Sequence, residues 1–459
     1  MLWEFIRKEG NGRLILIFGG WSTEPSFYKD LTIEGWDILA VTSYTDFQFP
    51  LSLLEEYHTV VLFAWSLGVI ASYNCIPKEK ISFAIAINGT ICPVSDEYGI
   101  PEEIFKGTKD YLTERNLIKF RKRMCGPDYE DVKDRFSQNP DIAKLKKELQ
   151  FIEDYSKAAS TLEGKGTEGK YFNRVYISEE DRIFPSSNQL REWTTHYPGP
   201  DIIMLPTASH LPDLKRIIRS LLLPRKKIGE KFHKAFSSYD INAHAQKKIA
   251  HTLAEMSPDN RCTKIVEIGP GTGYFSRLIA GKLKPETIDY IELYPFEKFG
   301  VAERENIVVE DAEEWIFSQA KQIIREYDAI VSASAIQWFV NPELFFANSA
   351  KILKKDGFLL LSTFGPENLN ELALVNPHRI LYRDTDELLN MLKKYFEDVK
   401  VTKDFIRLDF QSTRELLMHL KETGVGASEG KQNSVKVLHK TLPTHLTYAP
   451  IYIVATRPI

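Results

Sequence analysis

Residues able to form a serine relay occur in one order along the first half of the chain. Ser66 stands in VVLFAWSLG (Val60–Gly68), directly after an apolar, β-branched run and two residues before Gly68. A serine hydroxyl is a weak nucleophile until a base takes its proton. Asp181, in ISEEDRIF, and His210, in TASHLP, each follow a later apolar run, so the order is serine, acid, histidine. In such a relay His210 takes the Ser66 proton and Asp181 fixes the ring tautomer. Glu179 and Glu180 are neighbouring carboxylates, but the D-x-I-F setting favours Asp181. An attacked carbonyl becomes an oxyanion that needs N–H donors. Leu67, next to the nucleophile, and Trp21, in the turn FGGWS, are the candidates.

A second kind of chemistry is written in IVEIGPGTG (Ile265–Gly273). Gly269, Gly271 and Gly273 let the backbone come close to a ligand. A dinucleotide fingerprint wants a glycine where Tyr274 stands. The loop, preceded by Glu267, therefore argues against NAD and for S-adenosylmethionine. Glu292, in DYIEL, lies about 20 residues past the loop, where a carboxylate can accept both ribose hydroxyls. Asp311, in IVVEDAEEW, suits the adenine amine, with the Ala312 amide beside it; Ser332 and Ala333 fall beside the methionine part. No histidine and carboxylate cluster has ligand spacing, so no metal is expected.

These residues need strands to place them. Apolar runs at Leu14–Phe18, Asp37–Val41, Thr59–Ala64, Ala84–Asn88, Arg174–Ile177 and Ile202–Leu205 alternate with helical stretches, which predicts a parallel sheet. A strand, a tight turn holding Ser66 and a following helix form the nucleophile elbow of an α/β-hydrolase, with Ala64 where glycine is usual. A charged, helix-rich segment, about residues 98–157, interrupts the series and reads as a lid. A second βαβ pattern begins at Lys264–Ile268, with strands near 288–292, 306–309, 328–332 and 357–363, as in class-I (Rossmann-like) methyltransferases. The seam falls near LPRKKIGEK (Leu223–Lys231), giving expected domains of 1–222 and 232–459.

The N-terminal segments IFGGWSTEP, LFAWSLGV, AINGT, GIPEEIFKGT and KFRKRMCG together resemble the small, unlinked pimeloyl-acyl-carrier-protein methyl ester carboxylesterases of biotin synthesis, over most of residues 1–215. That resemblance implies hydrolysis of a methyl ester at the far end of a carrier-bound acyl chain. Lys119, Arg121, Lys122 and Arg123 in the lid would then be docking candidates for an acidic acyl carrier protein; a solvated helix face is the other reading. From about Phe232 onward, FSSYD with Ala243 and Gln246, then IQWF and STFGP, resemble the malonyl-acyl-carrier-protein O-methyltransferases of the same pathway. That resemblance places Tyr239 over the cofactor. A malonyl carboxylate needs a cationic partner, and Arg379, Arg383 and Arg407 are candidates. A fusion acting on other acyl thioesters or small esters stays open, as does a degenerate binding role for one half.

Composition sets the outer limits. With 43% hydrophobic and 27% charged residues the chain is an ordinary globular one, not disordered, collagenous or coiled coil. A net charge of −4 gives no support to general nucleic-acid binding. No apolar run reaches the length needed to span a bilayer. Glu4 and Glu9 interrupt any signal-peptide layout. Cys75, Cys92, Cys125 and Cys262 are far apart with no CxxC pair, which fits a reducing cytoplasm.

Overall fold

The computed structural model describes residues 1–160, 171–222, 228–230, 242–259, 261–321, 323–372, 380–423 and 444–459, without the side chains of 159 and 160. The chain divides into two compact units, Met1–Ile218 and Arg219–Ile459.

In the first unit, seven strands form one sheet: β1 (Leu2–Arg7), β2 (Arg13–Phe18), β3 (Asp37–Thr42), β4 (Thr59–Trp65), β5 (Phe83–Ile87), β6 (Arg174–Ser178) and β7 (Asp201–Leu205). Their order is β1-β3-β2-β4-β5-β6-β7. From β3 to β7 every pairing is parallel, while β1 pairs antiparallel with β3 at one edge. Strands β2 to β6 are buried along their whole length. Parallel strands covered on both faces read as continuous apolar runs, which is why the sequence announces them. Between β5 and β6 stand helices Glu102–Asp110, Glu114–Cys125 and Ile142–Ser160, in the segment expected to be helical. Thr113 accepts the Asn116 N–H and so starts the second of these.

The second unit holds β8 (Lys264–Ile268), β9 (Thr287–Glu292), β10 (Arg304–Val309), β11 (Tyr327–Ser332), β12 (Leu353–Phe364), β13 (Phe396–Lys403) and β16 (Pro450–Pro458), with β14 (Ile406–Asp409) and β15 (His445–Tyr448) as a separate pair. The large sheet runs β10-β9-β8-β11-β12-β16-β13. Strands β8 to β12 are parallel, and β16 is inserted antiparallel between β12 and β13. Alternate residues feed two cores, one on each face: Ile265, Tyr290, Val331 and Leu360 on one side, Val266, Ile291, Ile330 and Leu361 on the other. Strand order reverses between β8 and β11, and sheets of this kind bind ligands in the crevice beyond such a switch point. No helix among the described residues is long and apolar enough to cross a membrane.

Candidate active sites

Strand β4 ends at Trp65, and helix Gly68–Cys75 begins three residues later. The turn between them forces Ser66 to φ 60°, a left-handed conformation that L residues rarely adopt. The helix then starts hard against the end of neighbouring β2: a Cβ on Gly68 would lie 2.2 Å from the Phe18 carbonyl oxygen. Gly20 is equally constrained, since a Cβ there would come within 2.9 Å of the Trp65 ring and 3.2 Å of Ser66 Cβ.

His210 Nε2 lies 2.9 Å from Ser66 Oγ, and its Nδ1 lies 2.8 Å from Asp181 Oδ2. All three residues are buried. The carboxylate is held by four donors: the Ile183 and Phe184 amides at 2.8 and 2.9 Å on Oδ1, then Gln189 Nε2 at 3.0 Å and His210 on Oδ2. An ionised carboxylate only accepts hydrogen bonds, so Nδ1 carries the proton and Nε2 faces the serine as acceptor. The Phe184 ring stacks on the imidazole at 5.8 Å. A hydroxyl, a ring and a carboxylate so connected can move a proton off the hydroxyl.

Two supports were not visible in the sequence. Asn88, just past β5, donates to Ser178 Oγ and to the His210 carbonyl and accepts from the Ser178 amide. Trp65 Nε1 also donates to the His210 carbonyl, at 2.9 Å. Together they fix the His210 loop against the ends of β4, β5 and β6.

The remaining expected residues of this unit divide. Leu67 directly precedes helix Gly68–Cys75, whose first N–H groups lack intrahelical acceptors. Trp21 sits beside Gly20, and its ring Nε1 donates to the Leu145 carbonyl in helix Ile142–Ser160. Lys119, Lys122 and Arg123 are exposed on helix Glu114–Cys125. Arg121 is not available for docking: it is buried, stacks over Phe136 and donates to the Ser22 and Ser137 carbonyls. Every fourth residue of this helix turns inward to pack, and Arg121 shares that face with Leu117.

In the second unit a cavity opens at the C-terminal ends of β8, β9 and β11. Gly269, Gly271, Glu292, Asp311, Ala312 and Ala333 all line it. Gly269, Gly271 and Gly273 have φ of 64°, 54° and 76°. A Cβ on Gly271 would meet nothing within 4 Å, so this backbone faces open space. Gly273 instead packs against the Phe299 ring. Glu292 accepts from the Leu293 amide at 2.7 Å, and burial pushes its carboxyl up to about 7. Asp311 caps helix Ala312–Gln319 by accepting from the Glu313 amide.

Three expected residues, Gly273, Ser332 and Glu267, are not part of the cavity wall. Ser332 is fully buried and donates to the Ile268 carbonyl, bridging β11 to β8; Ala333, Ser334 and Ala335 form the wall instead. Glu267 is buried beside Ser276 and raised to about 8 by desolvation and by Glu292 and Glu305. Tyr239 and Arg379 lie outside the described residues. Arg407 is exposed and paired with Asp409, and Arg383 is not part of the cavity wall. Among the described residues the basic side chain on that wall is Lys247, which lies over the Tyr274 ring beside Gln246. The sequence motif flagged Gln246 but not Lys247.

The wall also carries buried polar atoms without hydrogen-bond partners, Gln246 Oε1 and Ser334 Oγ. An open glycine backbone, a raised carboxylate at the end of the second strand and unused acceptors fit a nucleoside-bearing, amino-acid-bearing ligand. This unit is an S-adenosylmethionine-dependent methyltransferase domain, and S-adenosylmethionine is its cofactor; a methyltransferase-domain family model matches residues 241–401. The model described as pimeloyl-ACP methyl esterase BioG matches residues 1–202. A malonyl-[acyl-carrier protein] O-methyltransferase of Bacteroides fragilis is 30% identical over 482 aligned residues, covering 98% of this chain and 94% of the relative. The chain belongs to that family, with a BioG domain at its N-terminal end. The enzyme of the same name from Bacteroides thetaiotaomicron is 29% identical over half of this chain and 97% of its own. The crystal structure of BioG from Haemophilus influenzae covers 46% of this chain and 94% of its own, at 28% identity and a TM-score of 0.39.

Proposed function

We propose that the chain performs two opposed reactions of biotin synthesis in the cytoplasm, both on groups held by acyl carrier protein. The methyltransferase domain, residues 232–459, methylates the free carboxyl of malonyl-acyl carrier protein. The N-terminal domain, residues 1–222 with a lid at about 98–157, is an α/β-hydrolase that cleaves the methyl ester of pimeloyl-acyl carrier protein. The observation that carries the reading is the hydrogen-bonded line Ser66–His210–Asp181 in a chain related, over nearly its whole length, to a named malonyl-[acyl-carrier protein] O-methyltransferase.

In the hydrolase, His210 Nε2 takes the Ser66 proton as Oγ attacks the ester carbonyl. The Trp21 and Leu67 amides receive the oxyanion, and Asp181 stabilises the imidazolium. His210 then protonates the departing methoxide oxygen, and methanol leaves. Water, activated by the same nitrogen, attacks the acyl-serine carbonyl and releases the free acid.

In the methyltransferase, S-adenosylmethionine supplies an electrophilic methyl group. Glu292 would hold the ribose hydroxyls, Asp311 and the Ala312 amide would hold the adenine, and the Gly269–Gly271 backbone would admit the ligand closely. A carboxyl acceptor is already ionised near pH 7 and needs no general base. Lys247 is the cation this wall offers to a carboxylate, and Trp338 and Phe339 line the same cavity. Methylation removes a charge whose burial in the apolar sites of chain-elongating enzymes would be costly; hydrolysis restores it later.

The test is intact-mass spectrometry of malonyl-acyl carrier protein incubated with S-adenosylmethionine and the Ser66→Ala variant, in which the esterase cannot erase the product. A gain of one methylene is expected. An unchanged mass, with cofactor binding intact, refutes the assignment of the acceptor.

A further inference from the structure

Among the described residues, one group of mixed donors stands apart from both sites. Cys92, Glu192 and His196 each offer one ligand atom, and these atoms lie within 4.8 Å of one another. Cys92 Sγ is 3.9 Å from His196 Nδ1, and Glu192 Oε2 is 2.8 Å from the same nitrogen. Glu192 and His196 sit four residues apart on a π-helical turn, Glu192–His196. Such wide turns are rare and concentrate at functional positions. Cys92 arrives from the loop after β5, where Thr90 Oγ1 donates to its carbonyl. The Tyr98 ring stacks on the imidazole at 4.9 Å and 20°, which sets the plane of the ring.

Glu192 is fully buried. Its Oε1 makes no hydrogen bond of good geometry, yet the Ile91 and Cys92 amides and the Cys92 thiol lie close enough to favour its charged form. A buried carboxylate so placed is one that a cation would stabilise. His196 is half exposed, so the group can be reached from solvent.

We propose that Cys92, Glu192 and His196 form a zinc site with solvent at the fourth position. One sulfur, one imidazole nitrogen and one carboxylate oxygen are donors that Zn²⁺ accepts in tetrahedral geometry. Binding replaces the Cys92 S–H bond by an S–Zn bond and the His196 Nδ1 to Glu192 hydrogen bond by N–Zn and O–Zn bonds; the thiol proton goes to solvent, the Nδ1 proton passes through solvent to Nε2, and no electron is transferred. A bound cation favours the thiolate form of such a ligand.

The site would act on the esterase half from outside its relay. Trp193 Nε1 donates to the Gly89 carbonyl, and Gly89 packs so tightly on the serine turn that a Cβ would lie 2.4 Å from the Ser66 carbonyl. Asn88, its neighbour, braces the His210 carbonyl. A metal joining Cys92 to the Glu192–His196 turn therefore clips the loop that supports the elbow.

Cobalt(II) substitution of the full chain tests this, because a thiolate bound to cobalt gives a near-ultraviolet charge-transfer band. The expected result is one cobalt per chain with that band, displaced by zinc, lost in Cys92→Ser and kept in Cys75→Ser. His196→Ala should weaken zinc at least about tenfold in competition with a chromophoric chelator. Serine at the partly exposed position 92 and alanine at the exposed position 196 leave the fold intact. Absence of the band, or its survival in Cys92→Ser, overturns the proposal.

Discussion

Replacing Asp181 by asparagine changes one atom and rearranges four hydrogen bonds. In the native site Oδ1 accepts two backbone amides and Oδ2 accepts Gln189 Nε2 and His210 Nδ1. An asparagine must present oxygen to one pair and NH2 to the other. Facing the backbone pair with NH2 opposes two fixed N–H donors, so the oxygen takes that side. The NH2 then confronts the Gln189 donor and His210. Gln189 cannot simply flip, because its NH2 also donates to the Phe184 carbonyl at 2.8 Å. One buried donor is left opposed, costing about 1–3 kcal/mol of stability. The NH2 becomes a donor to Nδ1, which moves the ring proton to Nε2. That nitrogen can no longer take the Ser66 proton. In a serine relay this tautomer error lowers kcat roughly 10⁴-fold, or about 5.5 kcal/mol. The assay is hydrolysis of a carrier-bound methyl ester, with methyl transfer measured in the same preparation as a control for folding. If Asp181→Asn kept ester hydrolysis within tenfold of the parent while folded, the relay assigned to these three residues would be wrong.

The methyltransferase cavity should be sensitive to pH. Glu292 is held at about 7 by burial, so it is neutral below that pH and a poorer acceptor for ribose hydroxyls. Calorimetry should show S-adenosylmethionine affinity falling as pH drops from about 8 to 6. Glu292→Gln should bind weakly and flatten that profile; a parent profile already flat would remove Glu292 from the ribose. Because its folded pKa is raised, its contribution to stability is full below about 4.5 and is lost as pH rises through 7. Cofactor should therefore raise the thermal midpoint most at high pH. For the esterase, pimeloyl and malonyl ends differ by four methylenes. At ~0.8 kcal/mol each, a lid groove that buries them favours the longer ester by roughly 200-fold in kcat/KM. Comparable turnover of the two methyl esters would contradict length selection.

How far the sequence revealed these sites depended on whether one segment carried the signal. Ser66 follows a strand buried at every position, and only a glycine at 68 allows the turn, so strand, turn and residue were legible together. The parallel strands β2 to β6 and β8 to β12 declared themselves by apolar runs. β1 did not, because it is a half-exposed edge strand with Leu2 and Trp3 facing solvent. β13 also escaped, because its outward positions are charged. β16 is apolar and bounded by prolines, yet its antiparallel insertion between β12 and β13 is a tertiary fact with no local mark. Residue roles followed the same division. Glu292, Asp311 and the glycines sit where a strand ends, and strand ends face the crevice. Ser332 sits there too, but the Ile268 carbonyl claims its hydroxyl. Arg121 read as one of four basic residues until helix packing turned it inward. Lys247 faces the cavity only because of how helix His244–Glu255 is rotated. The Glu192 and His196 pair was present at helical spacing, whereas Cys92 joins it only through the folding of the sheet.

The described residues of each site lie in one unit. Ser66, Asp181 and His210, with the Asn88, Trp65 and Gln189 that brace them, all precede residue 219. Every described residue of the cofactor cavity follows it. Damage to the residues of one site should therefore leave the other's chemistry standing. What couples them is the substrate. A methyltransferase acting on a short diacid and an esterase acting on its elongated ester would compete if both accepted the same chain length. The competition ends if the esterase requires apolar length to bind, because methylation then runs ahead of hydrolysis until elongation supplies that length. Selectivity of this kind comes from the number of methylenes buried rather than from the relay, which treats every methyl ester carbonyl alike. On this reasoning the order of the two reactions would be set by whatever surface buries the acyl chain, and the catalytic residues would have no part in setting it.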